Sequence, residues 1–485
     1  MYSISLLIGL LVFIGAPDFI RVQCQDYRKF NMSGMHAFRG PIPNKNVKLL
    51  TSFGRGFLAT FNHSDCVSDR LCRDEAVAIT TKMGDCMAHT FYEGLGMMGM
   101  VCFGPPSFSS VESDESTLAT LHSLPLLQEI VPDKRVRLRL PQTAANSTAD
   151  VSITVSEMEG NNRRRKRGSS PRRPNGPSQN DLQEAHEMAT PYNWGCDRMN
   201  QVESTLDGHS GTCASKGAGV RVYVLDTGCR TSHVEFRTCL ACSTSRATTE
   251  SVLLSSGYRP YGNGIDNNGH GTHVAAYAGG LRVGMAPSAT VKCIKVLGGD
   301  GGGSLSDIMS GFDMVARAKR ASPGTPIVLN LSLGSSYSGA VNSAVSRLAS
   351  LGVIVVVAAG NESQDASRVS PASSTSAVTV GASSTSDRRA SWSNYGSVVD
   401  LYAPGVDILS ASNRGDASYV QMSGTSMASP GVAGQVACIL GNSLRTRCSN
   451  NAVVGELRNP VVSIRQPGGN KPLTYLAEGS SIACS

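Results

Sequence analysis

No apolar run in this 485-residue chain has the length of a membrane-crossing helix. Ser5–Ala16 (SLLIGLLVFIGA) is too short and reads as the core of a secretory leader, cleaved near Ala16 or after Cys24. Leu351–Ala359 (LGVIVVVAA) has only strand length. Internal repeats are absent, so repeat architectures are excluded. No second CxxC accompanies Cys239 and Cys242, which leaves zinc two ligands short. No HExxH is present either: in NNGHGTHVAAYAGG, His270 and His273 are three apart with no Glu between them. A basic binding face is missing too. Arg163, Arg164, Arg165, Lys166, Arg167, Arg172 and Arg173 account for the whole net charge of +7, so no nucleic-acid partner is expected.

What the chain does have is cysteine and glycine. Fourteen cysteines fit an oxidising compartment, and Cys239 with Cys242 reads as a disulfide. Apart from Cys24, four precede residue 150 (Cys66, Cys72, Cys86, Cys102) and nine follow residue 190. Nine is odd, so one thiol should be free; Cys293, in the strand-like TVKCIKVL, is the candidate. The 51 glycines point to many tight turns and close backbone approaches.

Composition divides the chain after the leader (1–24). Residues 25–140 form a modest region with its own cysteines, ending in LHSLPLLQEIVPDKRVRLRL, a short helix and then a strand. Residues 141–190 are polar, with Pro, Ser, Asn and Arg and little to bury, hence a linker. From 191 to 485 strands and helices alternate. GVRVYVLD (219–226), TVKCIKVL (290–297), PIVLNLSLG (326–334) and VIVVVAAG (353–360) read as strands. LSDIMSGFDMVARAKRA (305–321) and GAVNSAVSRLASLG (339–352) have helical spacing, the latter stopped by Gly352. Nearly continuous apolar strands separated by helices predict an α/β fold, a parallel sheet covered on both faces. Chemistry then belongs at the carboxyl ends of the strands.

Three polar residues fall at such places. Asp226 ends a strand in VYVLDTG, His270 opens a helix after a glycine-rich loop, and Ser426 enters a helix in SGTSMASPGVAG. Singly, each has a commonplace reading as turn, structural pair or helix cap. Together they are the set for nucleophilic acyl transfer. A hydroxyl is a poor nucleophile until a neutral imidazole takes its proton, and a carboxylate holds that imidazole in the right tautomer. His270 at a helix start is expected to have its pKa lowered slightly by the helix dipole. Gly269 and Gly271 let the chain turn sharply around it. His273, one turn on, is expected to pack structurally.

The segments VYVLDTG, GHGTHVA, LNLSLG, VVAAGN and SGTSMASP resemble the signature segments of subtilisin-like serine proteases. Residues 367–410 resemble the proteinase K branch almost continuously. The resemblance runs from about 191 to 475. GRGFLATF (54–61) and LLQEIVPDKRVRL resemble that family's propeptide.

The resemblance implies a seven-stranded-type parallel sheet preceded by a small α+β propeptide domain. It implies a secreted, monomeric serine endopeptidase made as a zymogen, acting on protein or peptide substrates and inhibited by its own propeptide, with no membrane partner. Ser426 would be the nucleophile, His270 the base and acid, Asp226 the orienting carboxylate, and Asn361 the oxyanion donor. Ser332, Leu333 and Gly334 would form one groove edge, and the glycines Gly301 and Gly302 the other. Ala358, Ala359 and Gly360 would wall the primary pocket, which predicts an apolar or aromatic preference; Glu362 follows Asn361 with its direction open. No catalytic cofactor is implied. A structural calcium would use Asp400 and the carbonyls of Thr375 and Ala377.

Ala276 and Gly431 depart from the family pattern, which has Gly and His there. Val378 stands where the branch has a cysteine, so its disulfides do not carry over. Proximity in sequence suggests Cys438 with Cys448 and Cys196 with Cys213. RRRKR (163–167), placed between propeptide and enzyme, reads as a processing site. Sequons at Asn31, Asn62 and Asn146 are glycosylation candidates, whereas Asn330 and Asn361 are expected to stay bare. The alternative to an enzyme is a binding protein on this fold, held inactive by its propeptide.

Overall fold

The computed structural model describes residues 191–210, 213–252, 261–443 and 450–476, together with 48–49, 57–61, 86–92, 97–102, 127–132, 135–138 and 150–151. The leader, the basic run at 163–167, the sequons at Asn31, Asn62 and Asn146, and Cys448 lie outside these residues. The chain divides into two compact units. In the first, β1 (Lys48–Leu49), β2 (Phe57–Phe61), β3 (Cys86–Tyr92), β4 (Met97–Cys102) and β5 (Leu127–Pro132) make one sheet of order β1-β5-β2-β4-β3. β2 runs antiparallel to both β4 and β5.

The second unit holds β6 (Arg135–Arg137), β7 (Asp150–Val151) and everything described from 191 on. Its centre is β8 (Arg221–Asp226), flanked by β9 (Ala247–Ser251) and β10 (Thr290–Lys295) on one side. After β11 (Gly302–Ser304), the other side is built by β12 (Ile327–Leu331), β14 (Val353–Ala358), β16 (Val378–Ser383) and β17 (Leu401–Pro404). Between them in sequence lie β13 (Ser335–Ser336) and β15 (Val369–Ser370), which pair with each other. The seven strands β9-β10-β8-β12-β14-β16-β17 are all parallel. Two more than expected, β18 (Arg458–Ile464) and β19 (Lys471–Thr474), extend this sheet to nine beyond β17.

Side chains alternate across each strand, so two cores form. Val222 and Val224 of β8, Val291 of β10, Val328 of β12 and Val356 of β14 belong to one. On this face lie helix α2 (His270–Gly279), counted after α1 (Trp194–Met199), and the later helix α5 (Thr425–Ser443). Leu225 points to the opposite face, where a Cβ on Gly311 of α3 (Leu305–Ala321) would touch its Cδ2 at 2.7 Å. α3 starts with a capping box between Ser304 and Asp307 and buries Leu305, Ile308, Met309, Phe312, Val315 and Ala316 along one stripe. Each large side chain so buried contributes about 1.5–3 kcal/mol. α4 (Gly339–Ser350) packs beside α3 and stops just before Gly352. No helix among the described residues is long and apolar enough to cross a membrane.

The topology switches direction between β8 and β12. The chain leaves β8 for β9 and β10 on one side, then returns to β12 on the other. A crevice opens beyond the carboxyl ends of strands at such a point. Asp226 ends β8, and Ser332 follows β12.

Cysteine pairing differs from expectation. Cys293 is not free but bonded to Cys229, and Cys213 is bonded to Cys438, 225 residues away. Neither the Cys196–Cys213 nor the Cys438–Cys448 pairing holds; the free thiol among the described residues is the buried Cys196, whose Sγ faces the Val283 carbonyl at 3.3 Å. Folding reversed the guesses because the sheet brings distant segments together. Cys229 follows the turn after β8 and meets the next strand, while α5 carries Cys438 back to the approach to β8. Cys239 and Cys242 are bonded, as their spacing suggested.

Candidate active site

Asp226 is fully buried at the end of β8. Its Oδ1 accepts the Thr227 N–H at 2.7 Å, and both carboxylate oxygens face His270 Nδ1, at 2.8 and 2.9 Å. That contact places the ring proton on Nδ1 and leaves Nε2 with a lone pair. Nε2 is buried and has no hydrogen-bond partner. It is the one ring nitrogen able to take a proton from a neighbour.

Two glycines make this contact possible. Gly269 caps α2 with φ 111°, a left-handed conformation that only glycine takes without strain. A Cβ on Gly271 would lie 2.1 Å from the Gly228 carbonyl and 3.2 Å from Asp226 Oδ1. Any other residue there would push the helix start away from β8.

A residue that motif reading missed ties these pieces together. Asp266 is buried, and its Oδ1 accepts from Thr227 Oγ1, Asn268 N and Gly269 N. Its Oδ2 accepts from Thr272 N at 2.8 Å and Thr272 Oγ1 at 2.6 Å. Thr227 Oγ1 in turn accepts the Gly271 N–H. One carboxylate thereby clamps the end of β8 to the first turn of α2. The signal was present as DNNGHG, an acid four residues before the histidine, yet a loop aspartate alone looks like a turn residue. Lys295, aligned with Asp226 in the neighbouring strand, donates to the Thr227 carbonyl (2.5 Å) and Asn267 Oδ1 (2.9 Å).

Burial opposes a charge on His270, but the Asp226 charge and hydrogen bond, with Asp266 further off, outweigh it, and the ring's pKa is raised. The slight lowering expected from the helix dipole is therefore corrected: a carboxylate in contact exceeds a partial charge. His273 behaves differently. Nε2 donates to the Ile408 carbonyl at 2.9 Å, Nδ1 is buried without a partner, and burial lowers its pKa to about 3. It packs as a neutral ring.

Ser426 sits in the first turn of α5, mostly buried. Its Oγ donates to the Ser332 carbonyl at 3.3 Å rather than to His270. Pro430, four residues on, has no N–H to give the Ser426 carbonyl. Ser332 Oγ supplies that hydrogen bond at 2.8 Å and also meets Ser429 Oγ. So the Ser332 side chain supports the helix from beneath, while its backbone borders the cleft. Asn361 Oδ1 accepts from Thr425 N and Thr425 Oγ1, both at 2.9 Å. These bonds fix which end of the amide faces the cleft. A Cβ on Gly424 would lie 3.5 Å from Asn361 Nδ2 and 3.5 Å from Ser426 N, so both donors bound one small space.

A cleft beside them is lined by Ser332, Leu333, Gly334, Ala358, Gly360, Asn361, Glu362, Val369, Thr425 and Ser426. Ala359 does not line the cleft; it is buried in a cluster with Ala366, Ala372 and Tyr402. Glu362 does line the cleft, and its Oε2 accepts from Asn394 Nδ2 at 2.9 Å. Gly301 and Gly302 lie on a different edge. β6 runs antiparallel to β11, with Arg137 opposite Gly302, and Leu138 N donates to the Gly301 carbonyl at 2.9 Å.

Of the calcium set, Asp400 is half-buried with its pKa raised by desolvation; its Oδ2 accepts from Thr379 N at 2.8 Å. Lys471 and Arg458 act on it without forming an ion pair. A carboxylate desolvated without a paired cation fits a hard cation. No cluster of three or more acidic, His or Cys residues among the described residues suggests a metal elsewhere.

The Subtilase family model matches residues 217–454. An "Extracellular serine proteinase" of Thermus sp. (strain Rt41A) is 42% identical over 259 residues, covering 53% of this chain and 58% of its own length. A "Cuticle-degrading serine protease" of Arthrobotrys oligospora is 41% identical over 249 residues, 51% of this chain and 58% of that protein. This chain thus spans less than two thirds of the length of these relatives. The "Subtilisin-like serine protease Pen ch 13" of Penicillium rubens is 38% identical over 283 residues, 58% of this chain and 67% of its own. A solved structure of a cold adapted subtilisin-like serine proteinase superposes with a TM-score of 0.50 at 37% identity, covering 58% of this chain and 97% of that one. With the Asp226–His270 pair, the helix-borne Ser426 and this similarity in view, the chain belongs to the subtilase family.

Proposed function

We propose that this protein is a secreted serine endopeptidase that works through an acyl-enzyme. The observation that carries the reading is the bare, buried Nε2 of His270, whose other nitrogen is held by Asp226. In the reaction, Ser426 Oγ turns from the Ser332 carbonyl to His270 Nε2, gives up its proton and attacks the substrate carbonyl carbon. Asp226 stabilises the imidazolium. The oxyanion is held by Asn361 Nδ2 and Ser426 N. The tetrahedral adduct collapses as His270 protonates the leaving amine. Water then repeats the steps on the ester and releases the acid. No cofactor enters these steps.

Substrate lies extended, with backbone bonds to the edge at Gly301–Ser304; the antiparallel pairing of β6 on that edge supports this. The primary pocket takes apolar or aromatic side chains against Leu333, Ala358 and Val369, with the Glu362 carboxylate at one wall. Residues 25–140 act as folding aid and temporary inhibitor, with their carboxyl-terminal segment, β6 and Leu138, in the groove. Asp400, with the carbonyls of Thr375 and Ala377, holds a calcium that rigidifies the β16–β17 connection. The protein acts as a monomer.

A serine-directed phosphonate probe tests the reading. The secreted mature form should label, and Ser426→Ala should not. A correctly folded wild type, cleaved from its propeptide and yet unlabelled, would leave the binding-protein alternative standing. Cleavage of a peptide library mainly after Arg or Lys would reverse the pocket assignment and implicate Glu362.

A further inference from the structure

The catalytic reading leaves the CLAC segment unused. It forms the tip of a hairpin whose base is firmly tied. Arg237 bridges Ser245, Thr238 N donates to the Thr244 carbonyl, and Arg246 N donates to the Phe236 carbonyl. The half-buried Arg246 guanidinium donates to the carbonyls of Arg237, Ala289, Glu235 and Gly279. At the tip, Cys242 N donates to the Cys239 carbonyl at 3.0 Å, a turn that holds the two sulfurs together whether or not they are bonded.

This disulfide differs from the other two described. Cys213–Cys438 and Cys229–Cys293 are buried and close segments 225 and 64 residues apart. Cys239–Cys242 closes a separation of 3, Cys239 is exposed and Cys242 partly so. A crosslink restrains the unfolded chain more the longer its loop, so this one adds least to stability. None of its residues lines the cleft. Exchange needs an attacking thiolate to reach one sulfur in line with the bond, and of these three disulfides only this one includes an exposed cysteine.

We propose that Cys239–Cys242 is a thiol–disulfide exchange site for an external thiol. The incoming thiolate attacks Cys239 Sγ, a new sulfur–sulfur bond forms, and the Cys239–Cys242 bond breaks. Its electron pair leaves on Cys242 Sγ, which takes a proton from water. Cys242, kept adjacent by the turn, then either attacks Cys239 and expels the thiol, or stays reduced while a second thiol removes the first as a disulfide. The net second outcome oxidises two external thiols and reduces the protein by two electrons.

Native secreted protein is treated with excess reduced glutathione, quenched, alkylated with N-ethylmaleimide and mapped by mass spectrometry. Cys239 and Cys242 should become labelled at least about tenfold faster than Cys213, Cys438, Cys229 or Cys293, since accessibility limits the attack. Cys242→Ser, exposed to glutathione disulfide, should accumulate a stable adduct on Cys239, because the resolving thiol is gone. The Cys239→Ser/Cys242→Ser double variant should keep the wild-type melting temperature within about 2 °C, the size of shift expected for losing a weak crosslink. Labelling of all three disulfides at one rate, or protection of Cys239 and Cys242 until denaturation, would overturn the proposal. So would a large loss of melting temperature in the double variant.

Discussion

His270 is where charge, burial and geometry meet in one residue. A base must be neutral to accept the Ser426 proton, and its pKa is raised by the Asp226 carboxylate against the burial that opposes it. Hence kcat/KM should fall, as pH drops, through a pKa above the ordinary imidazole value. Asp226→Asn should move that acid limb downward and cost about 10⁴-fold in kcat, the magnitude such a change has in a Ser-His-Asp triad. A pH–rate profile of both proteins decides this; an unmoved limb would mean that another group sets it. Ser332 offers a second test. Its hydroxyl fills the gap that Pro430 leaves at the Ser426 carbonyl. Ser332→Ala leaves that buried carbonyl short of a donor, so thermal unfolding should show a loss of about 1–3 kcal/mol. Activity should fall in kcat more than it rises in KM, because the nucleophile's turn is loosened while the cleft walls stay.

At the level of elements, most helices and strands were readable because periodicity is a local property. The helix 305–321 coincides with its sequence reading, since its stripe and capping box are written in consecutive residues. The two departures from the family pattern near the core were not interpretable until α2 and α5 were seen packed together. Tyr277 on α2 is fully buried, and its ring occupies the space over Gly431 on α5. A Cβ on Gly431 would meet Met199 Cε at 2.8 Å and Tyr277 Cζ and Oη at 3.0 Å. The bulk that the family pattern places at 431 is supplied here from across the interface. Gly431→Ala should therefore destabilise by about 1–3 kcal/mol through overpacking, and less in a Tyr277→Ala background. The Tyr277 hydroxyl has no hydrogen-bond partner, so Tyr277→Phe should be neutral or stabilising by up to about 1 kcal/mol. Chemical denaturation of the wild type and the four variants reads both effects, and strict additivity of Gly431→Ala and Tyr277→Ala would disprove the packing account.

Across the whole molecule, titration of buried histidines sets the response to acid. His273 has a folded pKa of about 3 against an ordinary 6.5, so its contribution is intact above pH 6.5 and is lost as pH falls toward 3. His233 is lowered too, chiefly by burial, and adds in the same direction. His270 has the opposite sign: its raised pKa favours the folded state below the ordinary value, and that gain disappears as pH climbs through the raised one. The melting temperature should thus decline from pH 6.5 downward, and His273→Gln should flatten the decline. The proposed calcium site is tested at the same scale. If Asp400 holds it, a chelator should lower the wild-type melting temperature by several degrees and leave Asp400→Asn unchanged, as expected for a ligand that binds only the folded state. An equal response in both proteins would place the ion elsewhere.

The sequence by itself determined the parallel α/β order, the strand end at Asp226, the place of Asn361 in the loop after β14, and the entry of His270 and Ser426 into their helices. Those are statements about neighbours along the chain. It also carried the set Asp, His, Ser, since their segments are recognisable without contact information. Only the tertiary structure decided what distant segments do to each other. It joined Cys229 to Cys293 and Cys213 to Cys438, turned Ala359 inward and Glu362 toward the cleft, and made Asp266 the clamp between β8 and α2. It also set the direction of the His270 shift, because the balance between burial and the contact with Asp226, foreseen only as a pairing, depends on the packed site.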